Sequence, residues 1–309
     1  PMTAVTEAPQ VEAKPARARR VKDPQNSFRA SRTPAYVAVG IITLIWVIPA
    51  LGILISSFRD PQAIRATGWW TVIDEVFDAG TWTLQNYETV LRGEGFANAF
   101  VNSLAVTIPS VVIPITVAAF AAYAFAWMNF PGRTALFALV VGLIVVPLQM
   151  ALIPILRIYV DLGVTGSFPG LWLAHTGFGL PLAVYLLRNY MGSLPSSIIE
   201  SAEVDGADHF KIFTRLILPL STPVLAAFAT LQFLWVWNDY LVALVFLGVA
   251  APQNNVLTVE LAGLAGQFGE GAVSLLPAAA FVSMVLPLVV FFLLQRYFVR
   301  GLTAGAVKG

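Results

Sequence analysis

Cysteine is absent from this 309-residue chain, so no disulfide, thiolate metal site or thiol chemistry is open to it. Charge is scarce. Asp, Glu, Lys and Arg make up 11% of the residues, where soluble domains carry roughly 25%. Only two histidines occur, His175 and His209, too far apart in sequence to suggest a metal centre. No Gly-x-x-x-x-Gly-Lys-Ser/Thr run is present, so the main sequence element for holding nucleotide phosphates is missing. No internal repeat or low-complexity segment stands out.

Apolar side chains are plentiful, at 58% of residues and a mean hydropathy of +0.77. That composition points to a polytopic membrane protein. A spanning helix needs about 20 apolar residues. Six segments qualify: roughly Tyr36–Phe58, Phe100–Trp127, Thr134–Leu156, Leu171–Met191, Thr222–Leu247 and Leu275–Val299. Prolines interrupt them at Pro49, Pro109, Pro114, Pro147, Pro181 and Pro287. A bilayer tolerates such kinks where neighbouring helices satisfy the freed carbonyls.

Orientation follows from charge. With the N-terminus inside, the inner segments and their borders hold fourteen Lys and Arg. The outer segments hold four: Arg59, Arg65, Arg92 and Arg157. The positive-inside rule therefore predicts both termini in the cytoplasm. Residues 1–34 read as a disordered basic tail, with Arg17, Arg19, Arg20, Lys22, Arg29 and Arg32 ahead of the first span. The tail serves either as a topology signal or as an attachment to anionic lipid. It is not expected to be a cleavable signal peptide, because the apolar run is too long and no small-x-small site follows. In the outer loop from Arg59 to Asn98, Leu84, Tyr87 and Leu91 recur at helical spacing. They predict a short surface helix, either a cover or a docking element.

The densest polar stretch is Glu200–Pro219, lying between apolar spans on the predicted inner face. Such a segment is placed to touch a partner. Pro195 suits the first position of a helix, and Ile198, Ile199 and Ala202 give it an apolar edge. Gly206 suits a left-handed stop. A second helix is expected from near Ala207, capped by Asp205 or Asp208, with Phe210, Phe213 and Ile217 on one face.

This stretch resembles the "EAA" loop of ABC importer permeases, whose pattern is Glu-Ala-Ala, three residues, Gly, nine residues, Ile, one residue, Leu-Pro. Here Glu200-Ser201-Ala202, Gly206, Leu216 and Leu218-Pro219 occupy those places. Further pieces resemble the carbohydrate branch: Trp82-Thr83-Leu84-Gln85-Asn86-Tyr87, Asn102-Ser103, Pro147-Leu148-Gln149-Met150, Ile153-Pro154 and Trp237-Asn238-Asp239-Tyr240. So does the ending, Gln295-Arg296-Tyr297-Phe298 and Gly301–Gly309. Within that branch the chain is most similar to the MalG-type permease of maltose and α-glucoside importers.

The resemblance implies an all-α integral membrane protein with six transmembrane helices in the type I importer permease fold. Residues 35–300 would form the permease domain, 195–219 the coupling loop and 301–309 a cytoplasmic tail. It implies a bacterial or archaeal plasma membrane and a non-catalytic role in sugar uptake by alternating access. The implied partners are a second, non-identical permease, two ATPase subunits that bind ATP and Mg, and an extracellular sugar-binding protein. Glu200, Ser201, Ala202, Asp205, Gly206, Ala207 and Phe210 would meet an ATPase. Gly305, Val307, Lys308 and Gly309 would insert between the two ATPases.

Polar residues within the spans have two readings. Gln232, Trp235, Val236 and Asp239 fall on one helical face, which would line a pathway or knit helices together near an aromatic belt. Asn238 neighbours that face. Asn102 and Gln149 are lone amides on apolar helices and carry the same two readings. His175 is expected as an interfacial hydrogen-bonding residue. Pro252, Gln253, Asn254 and Asn255 lie in an outer loop that would either reach a binding protein or simply connect. Permeases for peptides, phosphate or amino acids are the first rival. An ion-driven transporter is the second, but it would normally need ionisable groups near the midplane, and none is found there.

Overall fold

The computed structural model describes residues 32–93, 95–248, 252–266 and 270–304, and the described elements are almost all helical. The chain falls into two units, Pro1–Leu51 and Gly52–Gly309. Most of the expected basic tail, residues 1–31, lies outside the described residues. Helix α1 runs over Arg32–Ser57, and an 18-residue window within Thr33–Ser57 has a mean hydropathy of 2.6, enough to span.

The second unit begins with short surface elements. Helix α2, Pro61–Ala66, is capped by the Asp60 carboxylate, which accepts from the N–H groups of Gln62 and Ala63. Helix α3, Gln85–Arg92, confirms a short helix in this loop but not its expected face. Asn86 and Val90 are buried, whereas Leu84 and Leu91 are exposed. The reason is polar. The Asn86 amide donates to the carbonyls of Ser57 at 3.2 Å and Arg59 at 2.7 Å, which turns that side inward. Tyr87 follows, its hydroxyl 2.7 Å from the Ser57 hydroxyl. Burial pushes the Tyr87 phenol above its ordinary pKa, and the Ser57 contact partly offsets that.

Helices α4, Phe96–Trp127, and α7, Phe168–Met191, form the centre and run parallel. Val106 and Leu171 share one core cluster, while Ala122 and Met191 share another. Small buried residues (Ala118, Ala119 and Ala122 on α4, Ala183 on α7) let the two backbones approach. Helix α5, Arg133–Leu143, and helix α6, Leu148–Asp161, are bent by 103° about the break between them. The continuous third span expected at Thr134–Leu156 is therefore broken. Pro147 holds extended backbone at φ −63°, ψ 125° and cannot donate to the preceding turn.

Helix α8, Ser196–Val204, and helix α9, His209–Ile212, lead through a wide turn at Phe213–Ile217 into α10, Leu218–Leu220. Helix α11, Thr222–Trp237, leaves that segment at 70°. The fifth span was expected to continue to Leu247. It stops instead at Asn238, and a separate helix α12 covers Leu241–Leu247. Asn238 turns its amide onto the Leu234 carbonyl at 2.7 Å. The Asp239 carboxylate accepts from the N–H groups of Val242 and Ala243, at 3.3 and 2.9 Å. A stop and a cap side by side end one helix and begin the next. Helix α13, Leu257–Gly266, and the long α14, Glu270–Ala304, complete the unit. Among the described residues four helices are long and apolar enough to cross a membrane, and six spans result if each bent pair counts as one.

Three prolines show how kinked helices keep their hydrogen bonds. Pro109 lacks the N–H that the Ala105 carbonyl needs, and the Trp172 indole donates there at 3.0 Å. Pro114 frees the Ser110 carbonyl, and the Gln232 amide donates to it at 3.2 Å. Pro287 frees the Ser283 carbonyl, and the Trp237 indole donates to it at 3.0 Å. Each donor comes from a neighbouring helix, as a bilayer requires.

Candidate functional site

The Glu200–Pro219 segment has two faces. Ile199, Ala202, Ile212, Phe213 and Ile217 are buried against the ends of α4 and α7. The Phe213 ring packs between those of Phe120 and Tyr123, with centroids 4.7 and 5.3 Å away. The His209 Nδ1 lies 3.0 Å from the Tyr123 hydroxyl, fixing the turn to α4. Glu200, Ser201, Asp205 and Gly206 face outward, and Ala207 is half-buried. Val204 and Phe210 project from the same outer side, 88% and 67% exposed.

The bend is built from backbone. Gly206 has φ +79°, and its N–H donates to the Glu203 carbonyl at 3.0 Å. The Ala207 N–H reaches back to Ala202 at 2.9 Å. This paired return satisfies two carbonyls at the end of α8 and favours glycine at the left-handed position. Asp208, the second of the two expected caps, accepts from the Lys211 N–H at 2.7 Å. Pro195 sits just ahead of α8 rather than inside it. Phe210 does not share the inward face of Phe213 and Ile217. Ile212 takes the inward place, and Phe210 stands at the segment's exposed tip.

The polar residues of the spans separate into distinct environments. Gln232 is buried and donates to the carbonyls of Ser110 and His175, at 3.2 and 3.3 Å. Gly179 makes room for it, since a side chain there would meet the Gln232 amide at 2.6 Å. His175 is also buried, with Nε2 3.8 Å from Asp239 Oδ2. Trp235 parts from this group. It is 42% exposed and lines an apolar cavity of about 540 Å³ beside the α5–α6 break and α7. Gln149 and Asn238 are exposed.

Asn102 belongs to the outer loop's own support. Its amide donates to the carbonyls of Gln253 and Asn255, at 2.8 and 3.0 Å. The Asn254 amide donates to Gly166 at 2.9 Å, and Ser103 accepts the Leu257 N–H at 2.8 Å. Residues 252–255 are thus held to the ends of α4 and α7, with Gln253 exposed. Gly305, Val307, Lys308 and Gly309 lie outside the described residues. Sequence reasoning missed the proline-directed role of Trp172 and Trp237. The signal was available: each accepting carbonyl lies four residues before a proline.

A family model described as the binding-protein-dependent transport system inner membrane component matches residues 99–304. The chain is 56% identical to the osmoprotective compounds uptake permease protein GgtD of Synechocystis sp., across 90% of this chain and 92% of that protein. It is 43% identical to the alpha-glucoside transport system permease protein AglG of Rhizobium meliloti, across 89% of this chain and 96% of that one. A bacterial ABC transporter structure involved in import of the acidic polysaccharide alginate matches with a TM-score of 0.71 at 21% identity. That match covers 92% of this chain and 100% of the other, and it establishes the fold. The chain belongs to the binding-protein-dependent inner membrane components, the non-catalytic permease subunits of ABC transporters.

Proposed function

We propose that this permease forms half of the pathway of an ATP-driven sugar importer. In this reading the outer face of Glu200–Pro219 receives the motion of an ATPase. The observation that carries it is the split between that segment's two faces. Its inner side is anchored on α4 through His209, Tyr123 and Phe213, while Val204, Phe210, Glu200 and Asp205 stay free for a partner. A push on the outer side passes to α4 and α7 as a rigid-body motion. Coupling then requires different contacts in the two states.

The complete machine has a second, non-identical permease, two ATPases that bind ATP and Mg, and an extracellular binding protein. This chain itself catalyses nothing. Its termini lie in the cytoplasm, its end at 305–309 meets the ATPases, and residues 252–255 face the binding protein. Cysteines introduced at Ala79 and Gln253 are expected to label with an impermeant reagent in intact cells. Labelling at Ser196 instead would invert the topology.

The solute class is a sugar of the α-glucoside kind, supported by the 43% identical relative. The 56% identical relative favours a second reading, uptake of an osmoprotective compound. A radiolabelled panel of α-glucosides and osmoprotectants separates the two.

Gly206→Val tests the coupling itself. A β-branched residue at φ +79° costs about 1–2 kcal/mol and displaces the bend. Nothing lies within 4 Å of the position a side chain would take, so insertion into the membrane is expected to survive. Uptake is expected to vanish and ATPase recovery by pull-down to fall. Normal values for both would make the segment a mere connector.

A further inference from the structure

A second feature lies at the same end of the bundle and is independent of the coupling reading. A pocket of about 620 Å³ opens between the end of α4, the start of α5 and the last turn of α7. Two arginines line it, Arg133 and Arg188. Neither is paired with a carboxylate among the described residues. Arg133 is held by the Met128 and Ala126 carbonyls, at 3.1 and 3.2 Å, where it caps α4. Those neutral acceptors fix its guanidinium but leave its charge unbalanced. Arg188 lies over the Phe137 ring at 5.0 Å and touches the Asn189 side chain at 3.3 Å. Its Nε is buried with no hydrogen-bond partner. That enclosed Nε leaves the guanidinium charge poorly balanced, and an anion in the pocket beside it offsets the charge. The first turn of α5 borders the same space and has no side-chain cap, so its N–H groups add to the positive field.

We propose that this pocket binds the phosphate of an anionic lipid headgroup. The shared chemistry is a phosphate-bearing anion held by two guanidinium groups. The surroundings select lipid over a free ion. Leu136 and Leu139 are exposed on the adjoining face of α5, where the acyl chains of a lipid would lie. Basic pockets between spans near the membrane surface suit acidic headgroups.

The test uses the full chain in detergent, exposed to an equal mixture of phosphatidylglycerol and phosphatidylcholine and read by native mass spectrometry. The unsubstituted chain is expected to retain phosphatidylglycerol about fivefold over phosphatidylcholine. Arg188→Gln is expected to erase that preference, and Arg188→Lys to keep part of it. Ala135→Glu places a carboxylate on the exposed pocket wall and is expected to erase the preference with the melting temperature unchanged. It keeps the test decisive if Arg188→Gln fails to fold. No preference in the unsubstituted chain, or an undiminished one in Ala135→Glu, would overturn the site. Millimolar inorganic phosphate is expected not to displace the lipid. Displacement would assign the pocket to a free anion and overturn the lipid.

Discussion

Gln232 and Trp237 are buried in the bundle and give their N–H groups to carbonyls that prolines have freed. Glu200 and Asp205 stand on the outside of the coupling segment, where no hydrogen bond or ion pair of the described residues engages their carboxylates. Both regions are polar insertions in an apolar chain, and they serve opposite ends. In the bundle, these N–H groups repair the backbone within the subunit. At the segment, it is left over. Leftover polarity beside exposed Val204 and Phe210 supports the proposed docking of an ATPase there, because folding alone gives no reason to keep it.

The comparison is broken most forcefully inside the bundle. Gln232→Leu leaves the Ser110 carbonyl without a donor and is expected to cost about 2 kcal/mol of stability. A melting curve of the purified protein reads this out. Pro114→Ala restores an N–H in the right place, so the same substitution in that background is expected to cost less. Equal losses in both backgrounds would mean that Gln232 does not serve Pro114. Trp237→Phe keeps the ring but removes the donor to Ser283, with an expected loss of about 1 kcal/mol. Pro287→Ala is expected to soften that loss in the same way.

Much of the coupling segment was legible in the sequence. Gly206 needed only its place after a helical stretch, and Asp208 its place before one. Local signals of this kind act over a few residues, so one sequence carries them. The expected face of α3 failed because Asn86, a polar residue, is the one that turns inward. The bend at Pro147 and the stop at Asn238 were hidden for a different reason. Pro109 and Pro114 lie inside a continuous helix, whereas Pro147 stands past the end of α5 at Leu143, just ahead of α6. The carbonyls freed by Pro109 and Pro114 take donors from Trp172 and Gln232 on neighbouring helices, whose positions are set only after packing. Phe210 was misplaced because its outward turn depends on Ile212 filling the core first.

The smallest expected change in stability belongs to the exposed tip, and it gives the most direct test of coupling. Phe210→Ala removes a side chain that is 67% exposed, so stability is expected to stay within about 0.5 kcal/mol. Pull-down of the ATPase by this variant, beside its melting temperature, is the decisive measurement. An unchanged melting temperature with clearly reduced ATPase recovery is expected. An unchanged melting temperature with full ATPase recovery would contradict it.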